Sequence, residues 1–177
     1  MHDENLITYM NDHVAGSVVA TQLIENWQEA EIDEALAVFL GDLLAEIRED
    51  VGTLQSVLER VGGSPSKLKN ASAWISEKLG RLKLVGTGDS GPAWGFYRLE
   101  QFDLLIVGVR GKQALWDALE AAAADDPRLM GYDWAALSRR AQEQIRSIEV
   151  HRLQSARLAF RGTPLPLGGR GRESASH

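Results

Sequence analysis

The sequence predicts an all-α protein built as a four-helix bundle, and three observations predict it. Four long segments repeat apolar residues at alternating steps of three and four, the spacing that keeps side chains on one side of an α-helix. The connections between those segments are short, long and short. The chain has 177 residues, 44% hydrophobic and 25% charged, which suits one domain with a proper core and is short for two.

The first helix is expected from about Asn5 to Ala30. Leu6, Met10, His13, Ser17, Ala20, Ile24 and Trp27 form its stripe, widened by Ile7, Val14 and Thr21. A short link at Glu31-Ile32-Asp33 leads to the second helix, which reaches about Val61. Its buried side reads Leu36, Leu40, Leu43, Ile47, Leu54, Val57 and Val61, with Asp50 or Val51 filling the middle turn. Gly62-Gly63 ends it, because glycine takes the left-handed conformation that closes a helix. So short a link makes the two helices antiparallel neighbours.

Ser64-Pro65 then reads as a helix start, an N-cap followed by proline at the first helical position. One or two short helices are expected to about Leu84, carrying Leu68, Trp74, Ile75, Leu79 and Leu82 in a locally basic stretch. Gly86 to Gly91 is a loop, and Pro92 opens the third helix. That helix continues to about Ala124 along Leu99, Phe102, Ile106, Val109, Gln113, Trp116, Leu119 and Ala123. Gly95, Gly108 and Gly111 inside it each cost about 1 kcal/mol relative to alanine, so they signal a close helix approach, a bend or a frayed start. Asp125-Asp126-Pro127 closes it. Asp133 caps the fourth helix, which passes through Trp134, Leu137, Ala141, Ile145, Ile148, Arg152, Ser155 and Leu158 to about Phe160. The domain is read as residues 1–162, with the crossover at about 64–91 and a disordered tail at 163–177 rich in Gly, Pro, Ser and Arg.

Composition excludes several functions. A net charge of −6 argues against a general nucleic-acid-binding surface. With no cysteine there is no disulfide, thiolate metal site or Cys nucleophile. The polar, acidic opening Met1-His2-Asp3-Glu4-Asn5 does not read as a signal peptide, and no apolar run is long enough to span a membrane, so the expected location is cytoplasmic.

Helix length, order and a long connection between the second and third helices resemble the ferritin-like superfamily over about residues 5–160. The stretch Asp42-Leu43-Leu44-Ala45-Glu46-Ile47-Arg48-Glu49-Asp50, running on to Gly62-Gly63-Ser64-Pro65, is similar to the second helix and turn of small bacterial ferritin-like stress proteins of the YciE type. The resemblance implies a long helical crossover that lets the second and third helices run parallel; a short helix closing one end as a lid is the alternative. It also implies a site for two metals, built from a Glu on each of two helices and a Glu-x-x-His on each of the others. No Glu-x-x-His occurs in this sequence. The second helix has Glu46-x-x-Glu49, and the fourth has Glu149-x-His151, whose two side chains face different ways. No conventional di-iron centre is therefore expected.

Polar residues nevertheless fall near the expected core. His13 and Asp50 lie at similar depth on antiparallel helices, where a His–carboxylate hydrogen bond is feasible. Glu46, Asp103 and His151 form a second possible group. Both sets read either as boundary or satisfied core positions, or as candidates for an atypical site for iron, manganese or zinc. Gly108-Val109-Arg110-Gly111-Lys112 lacks the spacing of a phosphate-binding loop, and no ordered Ser/His/Asp set suggests a hydrolase. The expectation is a non-catalytic bundle acting through protein or ligand binding, as a homodimer, with a metal-dependent oxidoreductase or metal-storage protein as the rival.

Overall fold

A computed structural model describes residues 3–30, 33–64 and 91–161. The expected crossover, apart from its first and last positions 64 and 91, and the whole of the expected tail lie outside these residues. Four long α-helices and one short 3₁₀ turn, without strands, make up the described residues. They are α1 (Asp3–Ala30), α2 (Glu34–Arg60), α3 (Pro92–Ala123) and α4 (Trp134–Arg161), with the 3₁₀ turn Pro127–Leu129 between the last two.

The helix ends obey local chemistry. Asp33 caps α2, its carboxylate accepting from the backbone N–H groups of Ala35 and Leu36 at 3.1 and 3.3 Å. At the other end Gly62 has φ 84°, Gly63 N–H donates to Leu58 C=O and Gly62 N–H donates to Glu59 C=O. This double closure satisfies two carbonyls that the last turn leaves without helical partners. Pro92 occupies the first turn of α3, and Asp133 caps α4 through Ala136 N–H at 2.8 Å.

The core divides into two apolar clusters, and their membership gives the helix directions. The upper cluster joins Ile24 and Trp27 of α1, Leu40 and Ile47 of α2, Phe102 and Val109 of α3, and Ile148 of α4. The lower joins Met10 and Val14, Val57 and Val61, Leu115 and Leu119, and then Leu129 and Trp134. Helix α1 therefore runs up, α2 and α3 run down, and α4 runs up. Helix α2 ends at the lower end of the bundle, while α3 begins at the upper end.

Helices α3 and α4 form the closest pair. A Cβ on Gly95 would lie 2.6 Å from the backbone nitrogen of Ala159 and under 3 Å from Leu158. Only glycine lets the two backbones approach this closely. Small buried residues on α4, Ser138, Ala141 and Ser155, extend the contact. Side chains of α2 and α4 meet mainly through polar groups across an open groove. At the lower end Arg128 binds both Asp3 and Asp126, and Arg60 donates to Met130 C=O while stacking over Tyr132.

The buried faces shift slightly from the expected stripes. On α3, Leu105 and Leu115 are buried and Gln113 is intermediate; on α1, Asn11 is buried while His13 and Ser17 are half-buried. A stripe drawn from spacing ignores how far each helix is rotated toward its neighbours, and packing sets that rotation.

Candidate functional site

Between the two apolar clusters lies a polar waist. Its centre is Asp50, on the inward face of α2 with Ile47 and Leu54 one turn to either side. Asp50 is 1% exposed. Each of its oxygens accepts from a cation: Oδ1 from the Arg140 guanidinium on α4, and Oδ2 from the Lys112 ammonium on α3. Lys112 also donates to Gln144 Oε1 at 2.5 Å, and Gln144 Nε2 donates to Glu46 Oε2 at 2.8 Å. Arg140 reaches outward to Glu49 at 2.9 Å. Three helices are thereby tied together by a network whose central carboxylate is inaccessible to water.

The arrangement is electrostatically demanding. Burial pushes the Lys112 ammonium down from its ordinary value and Arg140 adds repulsion, while Asp50 opposes both. Burial also works against the charge of Arg140, but Asp50 and Glu49 outweigh it and raise its pKa. An ion pair held this far from water is secured by its geometry, since desolvation cancels much of the attraction.

The network forms a wall between two hollows. On the side of α2 and α4 is a polar groove of about 460 Å³ touched by Glu46, Arg140 and Gln144. On the side of α1 and α3 is a cavity of about 220 Å³ with mostly apolar walls. Gly16 and Ala20 of α1 and Gly108 and Gly111 of α3 border it, and a Cβ on any of these three glycines would meet nothing within 4 Å. Missing side chains thus leave the space. Asp12, His13, Ser17, Asp50 and Lys112 supply its polar edge, and Trp116 lines it beside them. Trp116 is 1% exposed, and its indole Nε1–H has no acceptor among the described residues. Buried N–H groups are nearly always paired, so an orphan beside a cavity marks an unmet donor.

The sequence-derived candidates are distributed as follows. His13 and Asp50 reach the same cavity, as their matched depth suggests, but Asp50 spends its oxygens on Lys112 and Arg140. The His13 ring meets the edge of Tyr9, and burial lowers its pKa, Asp12 opposing. Glu46, Asp103 and His151 occupy three separate settings. Glu46 binds Gln144, Asp103 binds Arg152 at 3.3 Å, and His151 lies against the rings of Phe39 and Phe102 at 4.2 and 5.8 Å. Burial lowers the His151 pKa as well.

A pair of metals would need several carboxylates and two imidazoles converging at mid-bundle. Among the described residues no group of three or more His, Asp or Glu side chains converges in that way. At the waist one carboxylate is saturated by an ammonium and a guanidinium, fixed positive charges that would repel an incoming cation. The donor set does not fit a dinuclear centre.

Lys112, Arg140 and Gln144 were not among the candidates. A signal for them exists: Val109, Lys112 and Trp116 keep the three-four spacing on α3, and Ala141, Gln144 and Ile148 keep it on α4. A charged residue on an apolar stripe asks for a partner, but the sequence does not say which helix supplies it. Compared with known proteins, the chain matches no family model, no curated protein and no solved structure.

Proposed function

We propose that this chain is a ferritin-like four-helix bundle working as a non-catalytic binding protein, holding a small, largely apolar ligand at its waist. One observation carries the reading: the apolar cavity of about 220 Å³ between α1, α2 and α3. An apolar cavity of roughly 150 Å³ in another protein stays dry and accepts benzene, so this one has room for a substituted ring or a branched chain of similar bulk. The ferritin-like assignment is supported by α2 and α3 running parallel. A connection from the lower end of α2 to the upper end of α3 has to travel the bundle's length, as a single long crossover does.

The test is thermal unfolding with p-xylene as probe. At ten times its dissociation constant a ligand specific for the folded state adds about 1.4 kcal/mol, a rise of roughly 3–6 °C for a chain of this size. Gly111→Leu, which fills the cavity from α3, is expected to abolish the rise and keep the helical circular dichroism. A Tm that ignores the probe in the unmodified protein removes the reading.

A homodimer belongs to the same proposal, supported by exposed Phe96, Leu104 and Val107 on α3 and Val150, Leu153 and Phe160 on α4. A concentration-independent monomer mass in sedimentation removes it. The rival, an atypical metal centre, retains only His13 and Asp50 on one cavity wall. Its test is metal content after dialysis from iron, manganese and zinc; one equivalent, lost in His13→Ala, would favour it.

A further inference from the structure

We infer that two copies of this chain meet through the outer face of α3, the two helices lying antiparallel across a two-fold axis between Leu104 and Val107. This inference rests on the homodimer reading above and assigns its contact. From Glu100 onward, steps of four and three lead through Leu104, Val107, Gly111 and Ala114 to Ala118, so these residues share one side of the helix. Phe96 precedes them by one turn. Leu104, Val107, Ala114 and Ala118 are exposed, Val107 to 68%. No charged side chain stands on this line from Leu104 to Ala118, about 21 Å of helix. An uncovered apolar face of that length is suited to a protein partner. The exposed Val150, Leu153 and Phe160 of α4 make a poorer seat, because Arg146 and Arg157 alternate with them on the same side.

Two properties of the α3 face name a second copy as its occupant. The first is size. Phe96, Leu104 and Val107 supply bulk toward the start of the helix, while Gly111, Ala114 and Ala118 leave room toward its end. A Cβ on Gly111 would meet nothing within 4 Å. Antiparallel pairing sets each Leu104 against the partner's Val107 and each Phe96 beside the partner's Ala114. Bulk then meets room on both sides of the axis.

The second property is charge. On the exposed side of α3, Glu100 and Asp103 precede Val107 and Arg110 follows it. The same axis brings each Arg110 within one turn of the partner's Glu100 and Asp103. Within its own subunit Asp103 also holds Arg152 at 3.3 Å, and the charge of Arg110 is felt by Glu149. Parallel pairing would instead set Phe96 on Phe96 and Arg110 on Arg110. Exposed ion pairs add little energy, but they fix register and disfavour the wrong partner. A face that complements its own two-fold image is what an isologous dimer requires.

Sedimentation of charge-exchanged variants of the whole chain, with helicity followed by circular dichroism, tests the inference. Arg110→Glu makes the three charged positions uniformly negative. Glu100→Lys/Asp103→Asn removes the negative charge and leaves Arg110 facing a lysine. Because the two-fold axis doubles each repulsion, either variant is expected to weaken self-association by roughly a hundredfold. Their equimolar mixture is expected to restore the dimer, since opposite charges then face each other in both halves of the contact, and that rescue also shows that the variants fold. Ala114→Trp, at an exposed position of the single chain, is likewise expected to be monomeric. A dimer that survives in either charge variant overturns the assignment of this face and leaves the homodimer standing. Monomeric variants whose mixture stays monomeric overturn the antiparallel register. A dimer in Ala114→Trp overturns the match of Phe96 to Ala114. An unmodified chain that is monomeric at every concentration overturns the homodimer reading along with the inference.

Discussion

Removing the charge of Asp50 is the sharpest test of the waist. Asp50→Asn keeps the size and shape of the side chain, yet it turns one of the two acceptors into an N–H₂ group facing a cation. Lys112 and Arg140, with side chains only 15% and 25% exposed, then face each other without a counter-charge between them. Breaking a buried pair by removing one partner costs about 3–5 kcal/mol. Because both cations retain some contact with solvent, and Glu49 still screens Arg140, the lower end applies, about 3 kcal/mol. That corresponds to a Tm lower by roughly 6–12 °C. Urea unfolding followed by circular dichroism at 222 nm gives the free energy directly. The double variant Asp50→Leu/Lys112→Met replaces charges by apolar groups of similar bulk and is expected to recover most of the loss. A loss below about 1 kcal/mol in Asp50→Asn, the range of exposed ion pairs, would mean that water reaches the waist and the network is ordinary surface chemistry.

Other consequences can be checked by similar means. Gly108→Ala is expected to stabilise by about 1 kcal/mol in urea unfolding, since its Cβ meets open space and glycine is the poorer helix former. Gly95→Ala should lose stability despite the same gain in propensity, because its Cβ would lie 2.6 Å from the Ala159 nitrogen; equal effects at the two positions would refute the close α3–α4 crossing. His151 has a folded pKa below its ordinary value of 6.5, so the unfolded chain binds the proton more readily. Its contribution is complete above about pH 6.5 and is lost as pH falls from there toward the folded pKa. Replacing it with Phe, which preserves the stack on Phe39 and Phe102, should flatten the decline in Tm between pH 6.5 and 5; an unchanged slope would assign that decline elsewhere.

Much of the architecture was legible because it rests on local rules. The start of α2 at Asp33, its closure at Gly62-Gly63, the opening of α3 at Pro92 and the cap at Asp133 all follow from backbone groups that nearby residues satisfy. The apolar periods of the helices were equally visible, and so was the matched depth of His13 and Asp50, since a short link makes α1 and α2 antiparallel. Grouping Glu46 with Asp103 and His151 failed for a geometric reason. A rotation of one helix by a third of a turn moves a side chain from the bundle axis to its flank, and neither spacing nor charge sets that rotation.

The sequence by itself determined where the helices lie and which of their faces are apolar, because propensity, capping and periodicity act within a few residues. Tertiary structure alone decided that Lys112 and Arg140, from two different helices, converge on the one carboxylate of the waist. It also decided that Gly16, Gly108 and Gly111 border one cavity while Gly95 fills a crossing. All four glycines lack the same side chain. What that lack does, leaving a hollow or permitting contact, depends on how far away the neighbouring helix comes to rest.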